Sequence, residues 1–233
     1  MNFKVILKTK DKKLIQLYEV VYFHLDYIKH LESIELVNNY IKRMYAFQNG
    51  YTEKNKLFKD LREVSQNYPH LYLEWLVEYA KYKVKHLPSP IYKKLDDFLD
   101  YAKNQSILGY LLLIVDLNAP NHLKIITDFS QMDLLTDLLI DMYQTKSQNI
   151  LPLPLQLLED YHIEKSLDGL YQINDRFITL WQLLLLKAKQ YSEHVQLSSN
   201  NFDLMEQHLI EFIITTRFDE LKKIAKELIN KIS

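Results

Sequence analysis

Residues 122–143 read HLKIITDFSQMDLLTDLLIDMY, and the spacing of their charges governs how the rest of the chain is read. Asp133, Asp137 and Asp141 stand at i, i+4 and i+8. On a helix turning about 100° per residue they occupy a strip roughly 80° wide. Ile125, Phe129, Met132, Leu134, Leu135, Leu138, Leu139 and Met142 cover most of the remaining circumference. A helix apolar on that many sides belongs at the centre of a fold, so its acidic strip must face either a narrow window of solvent or an internal polar cavity. Carboxylates one turn apart repel each other by about a few tenths of a kcal/mol per pair in water, and by more when buried. A hard cation between them removes that cost. Magnesium suits the pattern, because it takes one or two carboxylates together with phosphate oxygens. On the strip alone, a solvated face is the plainer reading and a metal-facing one its alternative.

The flanking sequence predicts more helices. Leu14, Leu17, Val21, Leu25 and Ile28 recur at three- and four-residue steps, which predicts a helix over about 11–31. A second, about 33–47, ends at Asn49-Gly50, a helix-stop pair, and a third opens at Thr52 and ends before Tyr68. Pro69 suits the first position of a fourth, which carries Leu71, Leu73, Trp75, Leu76, Tyr79 and Val84. A long apolar helix is expected over about 91–115, and the acidic helix over 122–143. Leu151-Pro152-Leu153-Pro154 forces an extended stretch, because each proline disfavours helix in the residue before it. A short helix at 155–161 and two long ones at about 174–195 and 201–232 complete the pattern. Asp96, Asp97 and Asp100 read as carboxylates favoured early in a helix by its dipole. With 3 Gly and 6 Pro in 233 residues, turns are scarce, and the fold expected is a single all-α domain over 1–233.

Composition removes several function classes. Net charge is −1, from 29 basic and 30 acidic side chains, and no basic block offers a nucleic-acid surface. The Lys-rich ends read as solvated helix faces, with peripheral contact with an anionic membrane as the lesser reading. The absence of cysteine excludes disulfides, thiolate catalysis and thiolate-bound zinc. The 8 histidines form no close-spaced ligand set, and so few glycines preclude a phosphate-binding glycine loop. The longest apolar run, Ile107 to Val115, is too short to span a bilayer, and residues 1–13 do not resemble a signal peptide. A cytoplasmic protein without transmembrane segments is expected.

Leu95 to Ile163 resembles the squalene/phytoene synthase family of head-to-head prenyl synthases. Its first part, LDDFLDYAKNQSILGYLLLIV, is similar to the family's acidic-apolar turn, tyrosine, small residues and glycine ahead of an apolar run. Its second, FSQMDLLTDLLIDMYQTKSQNILPLPLQLLEDYHI, looks like the family's second acidic motif with the leucine-proline stretch after it. Asp137 and Asp141 fall on the motif's acidic positions, Leu153-Pro154 on its leucine-proline pair, and His24 to His30 where the first acidic motif belongs. The resemblance extends weakly over about 13–225. It implies a helical bundle of the isoprenoid-synthase type, with two acidic motifs facing each other across a tunnel mouth and Mg2+ bridging them to a prenyl diphosphate. Carried over residue by residue, it implies Asp137, Asp141 and Asp26 as metal ligands, and Tyr101 and Tyr22 among the aromatics that line the substrate tunnel; plain core packing is the competing reading of those tyrosines.

The departures from that pattern are severe. His30 stands where a second aspartate of the first motif belongs, and Thr145 where the second motif repeats its aspartate. Phe23, Ile140 and Ile150 stand where the family has arginines. Each arginine–phosphate contact contributes roughly 1.5–3 kcal/mol, so losing several together works strongly against normal catalysis. In this the chain is similar to the family's non-catalytic branch, which includes mitochondrial complex I assembly factors. Two readings stay open: a prenyl diphosphate transferase or its degenerate descendant in isoprenoid metabolism, and an inactive scaffold that binds a lipid or a protein partner.

Overall fold

The computed structural model describes residues 1–51, 55–87, 92–144, 153–164 and 171–230. Among them the chain is all-α, with eleven helices: α1 (Phe3–Ile6), α2 (Lys12–Lys29), α3 (Ile34–Gln48), α4 (Lys56–Asn67), α5 (Glu74–Lys85), α6 (Leu95–Gln105), α7 (Ile107–Val115), α8 (Ala119–Gln144), α9 (Leu155–Asp160), α10 (Asp175–Ser198) and α11 (Leu204–Asn230). Side-chain caps set several starts. Asp11 accepts from the backbone N–H groups of Lys13 and Leu14, Ser33 from Leu36, Asn55 from Phe58 and Asn174 from Phe177. The carboxylate of Asp97 accepts from the N–H of Lys94 at 3.0 Å, so this acid serves the start of α6 as expected.

The acidic helix is the axis of the molecule. α8 packs against α6, α7, α10 and α11 and passes through two apolar clusters. Phe129 and Met132 belong to the first, with residues of α1–α5, α7 and the start of α11. Leu135, Leu138, Leu139 and Met142 belong to the second, with α6, α9, α10 and the end of α11. Trp181 of α10 is buried there and donates its indole N–H to the Leu139 carbonyl at 3.1 Å. Among the described residues no helix is long and apolar enough to cross a membrane.

Three expectations are corrected. The helix expected over 91–115 is two helices within the described residues, because Ser106 leaves helical geometry at φ −68°, ψ 117°. Its Oγ accepts from the Gly109 N–H at 2.9 Å to cap α7, and its hydroxyl donates to Asp133 at 2.8 Å. A buried carboxylate must be hydrogen-bonded, and that need outweighs local helix propensity here. Pro69 lies in a turn and not at a helix start. The N–H of Tyr72 donates to the Ile114 carbonyl at 3.2 Å, which draws 68–73 across the end of α7 and delays α5 to Glu74. The acidic helix starts earlier than expected, at Ala119, since Pro120 in its first turn needs no N–H donor. Thr52, Ile91, Thr145, Ile150 to Pro152 and the last three residues lie outside the described residues.

Close approach of α7 to α8 depends on Gly109. A Cβ there would stand 1.9 Å from Ser130 Oγ and 3.0 Å from Ser130 Cβ. Gly109→Ala is therefore expected to lower stability by about 1–3 kcal/mol, measured by urea unfolding, with Ser130→Ala restoring part of the loss. An unchanged midpoint in the single variant would refute this close approach.

Candidate functional site

Asp133 is the most deeply buried acid of the α8 strip, at 3% exposure. It accepts from the Ser106 hydroxyl and from Nη2 of Arg217, 3.3 Å away on α11. The same Nη2 lies 2.6 Å from Asp137 Oδ1. One guanidinium group is thus shared by two carboxylates a turn apart, which offsets the repulsion they would otherwise exert. The Asp137 side chain is 34% exposed, and Asp141 one turn on is half-buried. Burial and the neighbouring Asp133 hold Asp137 well above the usual carboxylate range, against the opposing pull of Arg217 and Lys29. Arg217 stands on the apolar stripe of α11, a turn after the buried Ile213 and Ile214 and a turn before Leu221.

The α2 side of the site comes from Tyr22, Asp26 and Lys29, which share one face at i, i+4 and i+7. Both α2 and α8 pack on α7. Burial raises the pKa of the half-buried Tyr22 hydroxyl first, then Asp26 and Asp133, with Asp137 adding and Arg217 opposing. Tyr22 therefore lies within electrostatic reach of both acidic elements. Asp26 is 39% exposed, and His30, just past the end of α2, turns back on its own helix: Nδ1 is 2.8 Å from the Asp26 carbonyl and 3.6 Å from its carboxylate.

Tyr101 belongs to an aromatic run, with its ring 5.2 Å from His86 and 5.1 Å from Tyr92. The buried Tyr79 stands between the two regions, its ring 4.8 Å from Tyr110. Burial raises its pKa most, followed by Tyr101, Tyr110, Asp26 and Tyr22, each acting on the Tyr79 hydroxyl. Of the residues singled out in the sequence, Asp137 shares Arg217 with Asp133, Asp141 follows one turn on, and Tyr22, one turn before Asp26 on α2, feels Asp133 and Asp137; Tyr101 belongs to the separate aromatic run with His86 and Tyr92. Phe23 lies on another face of α2 and lines a groove of about 670 Å3 with Val20, Tyr27, Arg43 and Leu57. Ile140 is buried in the apolar core. Sequence reading missed Arg217, Ser106 and Lys29.

As they stand, these residues do not fit a magnesium cluster. Among the described residues, no three carboxylate or imidazole groups converge closely enough to hold an ion. The place between Asp133 and Asp137 is taken by Arg217, and a buried guanidinium beside a dication would be strongly repelled.

A second polar cluster lies where α7 ends and α8 and α11 begin. His122 Nδ1 is 2.7 Å from Asp116, whose other oxygen accepts from the Asn118 N–H at 2.8 Å. Glu206, 4% exposed, accepts from the Asp203 N–H at 2.8 Å. Burial and then Asp116 push the Glu206 carboxyl up to about 8. Tyr18, Asp203 and Phe202 complete the surroundings, the last with its ring 4.5 Å from His122.

No protein-family model matches the sequence, and no curated protein sequence matches it either. Solved structures do match. A dehydrosqualene synthase in complex with ligand superposes with a TM-score of 0.78 at 14% identity, covering 93% of this chain and 78% of the other. The squalene synthase HpnC from Alicyclobacillus acidocaldarius gives 0.75 at 12% identity over 97% and 89%. YisP from Bacillus subtilis subsp. subtilis strain 168 gives 0.56 at 15% identity over 97% and 87%. At such identities the likeness concerns backbone architecture, and the chain has a squalene/phytoene synthase-like, all-α fold of the isoprenoid-synthase type.

Proposed function

We propose that this chain is a squalene/phytoene synthase-like protein of isoprenoid metabolism, working in the cytoplasm. In this reading it is a degenerate descendant of the prenyl diphosphate transferases that still takes a prenyl diphosphate or similar lipid between α2, α8 and α11. One observation carries the reading: Tyr22 of α2, one turn before Asp26, lies within electrostatic reach of Asp133, Asp137 and Arg217, on a fold shared with squalene and dehydrosqualene synthases. Magnesium would enter as the partner of Asp137, Asp141 and Asp26 in an intact transferase. Here the Arg217 pairing favours binding without it. The buried Tyr79 and Tyr110 and the half-buried Trp75 supply apolar area and π faces suited to a prenyl chain.

Calorimetric titration with farnesyl diphosphate, in EDTA and again in magnesium, tests the reading. The expected result is saturable binding in EDTA that magnesium leaves unchanged, weakened at least about tenfold in Tyr22→Ala. Binding that needs magnesium would point to an intact transferase. Absence of binding in both conditions would remove the lipid and leave a protein-interaction scaffold.

A further inference from the structure

The positive charge nearest the α8 strip is a side chain, and its placement has consequences for what the site can accept. We propose that Arg217 is the resident counter-cation of this strip, standing where a divalent ion would otherwise sit, so that the site excludes the metal. This deepens the reading of the site given above but depends on it only for the identity of the ligand.

Three observations carry it. The Nη2 atom reaches both carboxylates, 2.6 Å from Asp137 and 3.3 Å from Asp133, a spacing that bridges them as a shared ion would. Second, the Arg217 side chain is only 26% exposed and rises from the α11 face that carries the buried Ile213, Ile214 and Leu221, so displacing it would bring a largely shielded stem into solvent. Third, Asp133 has its second oxygen committed to the Ser106 hydroxyl at 2.8 Å, and that bond is what separates α6 from α7. A metal at Asp133 would have to compete with both partners at once. Magnesium also demands near-octahedral oxygen ligation at short range and gives up water reluctantly. A strip whose inner acid is already satisfied by a guanidinium and a hydroxyl cannot provide that shell without rearranging α11.

Arg217 thereby has a role that a purely structural residue would not have: its loss should create affinity for a cation. Manganese serves as the probe, because its binding to the full-length protein can be followed by electron paramagnetic resonance as well as by calorimetry, with no lipid present. Wild-type protein is expected to show no site that is lost in Asp137→Asn. Arg217→Gln is expected to bind manganese at least about tenfold more tightly than wild type, and to gain thermal stability from it. The double variant Arg217→Gln, Asp137→Asn should lose that gain.

Should Arg217→Gln not fold alone, refolding with and without manganese replaces the titration, and recovery only with the metal supports the proposal. Tight manganese binding by wild type that disappears in Asp137→Asn overturns it, and so does a folded Arg217→Gln with no gain. The outcome separates from that of the farnesyl diphosphate titration. If Arg217→Gln gains manganese while the lipid never binds, the functional reading falls and the role of Arg217 stands. If the lipid binds wild type only with magnesium, the exclusion of metal by Arg217 falls, and the site is that of an intact transferase.

Discussion

Replacing Arg217 by leucine is expected to lower the folding stability by about 3–5 kcal/mol, because it strips a buried carboxylate of its cation. Asp133 is 3% exposed, and its remaining partner, the Ser106 hydroxyl, neutralises nothing. Either the folded state carries an uncompensated buried charge or Asp133 takes up a proton to avoid it, and both outcomes cost stability at neutral pH. The sharper test is a reversal of sign. In the wild-type background, Asp133→Asn discards an ion pair and should destabilise. In the Arg217→Leu background the same substitution should stabilise, because an amide oxygen still accepts from Ser106 while the stranded charge is gone. Chemical unfolding of the four proteins measures this directly. If Asp133→Asn is harmful in both backgrounds to the same extent, the two side chains do not share the pairing described here.

What the sequence could disclose divides along the same line, between local and long-range causes. The stripe at Leu17, Val21, Leu25 and Ile28 is a property of one helix, and all four are buried as their spacing requires. Asn174 caps α10 through a bond spanning three residues, so it too was legible. The break at Ser106 was not. Ser106 stands between the polar Lys103-Asn104-Gln105 and the apolar run Ile107 to Val115 with no glycine or proline beside it, and the break answers to an aspartate 27 residues further on. Arg217 is 84 residues from Asp133, beyond any spacing rule, yet it left a signal. It stands on the stripe of Ile210, Ile213, Ile214, Leu221 and Ile224, where a charge is costly unless something buried awaits it. The matching signal on α8 was the strip of Asp133, Asp137 and Asp141 among the apolar residues of its second half. Read together, an isolated cation on one buried face and isolated anions on another pointed to each other. The spacing of the acids was compatible with either an ion or an arginine, and only the arrangement of α11 against α8 distinguishes the two.

Glu206 provides the second large expected effect, in the pH dependence of stability. Its carboxyl is pushed up to about 8, first by burial and then by Asp116, with Asp203 adding a smaller charge effect and the Asp203 N–H opposing. Tyr18 and the Asp116–His122 pair face the same pocket. The folded-state value lies above the ordinary one of about 4.5, so the unfolded chain releases this proton first as pH rises. The stabilising contribution of the neutral carboxyl is thus complete below about pH 4.5 and is lost progressively as pH climbs to about 8. Each pH unit inside that window costs roughly 1.4 kcal/mol at most, for a total on the order of 3–5 kcal/mol. Glu206→Gln retains an oxygen to accept from the Asp203 N–H and carries no proton to lose. It should equal wild type near pH 4.5 and exceed it by about that total at pH 8. His24 has the opposite slope: its burial lowers its pKa from 6.5 to about 4, so acidification through that range favours unfolding. That contribution is common to both proteins and cancels in the difference between their unfolding free energies. Parallel stability curves from pH 5 to 8 for wild type and Glu206→Gln would mean that Glu206 is already ionised in the folded state, with its charge solvated or paired.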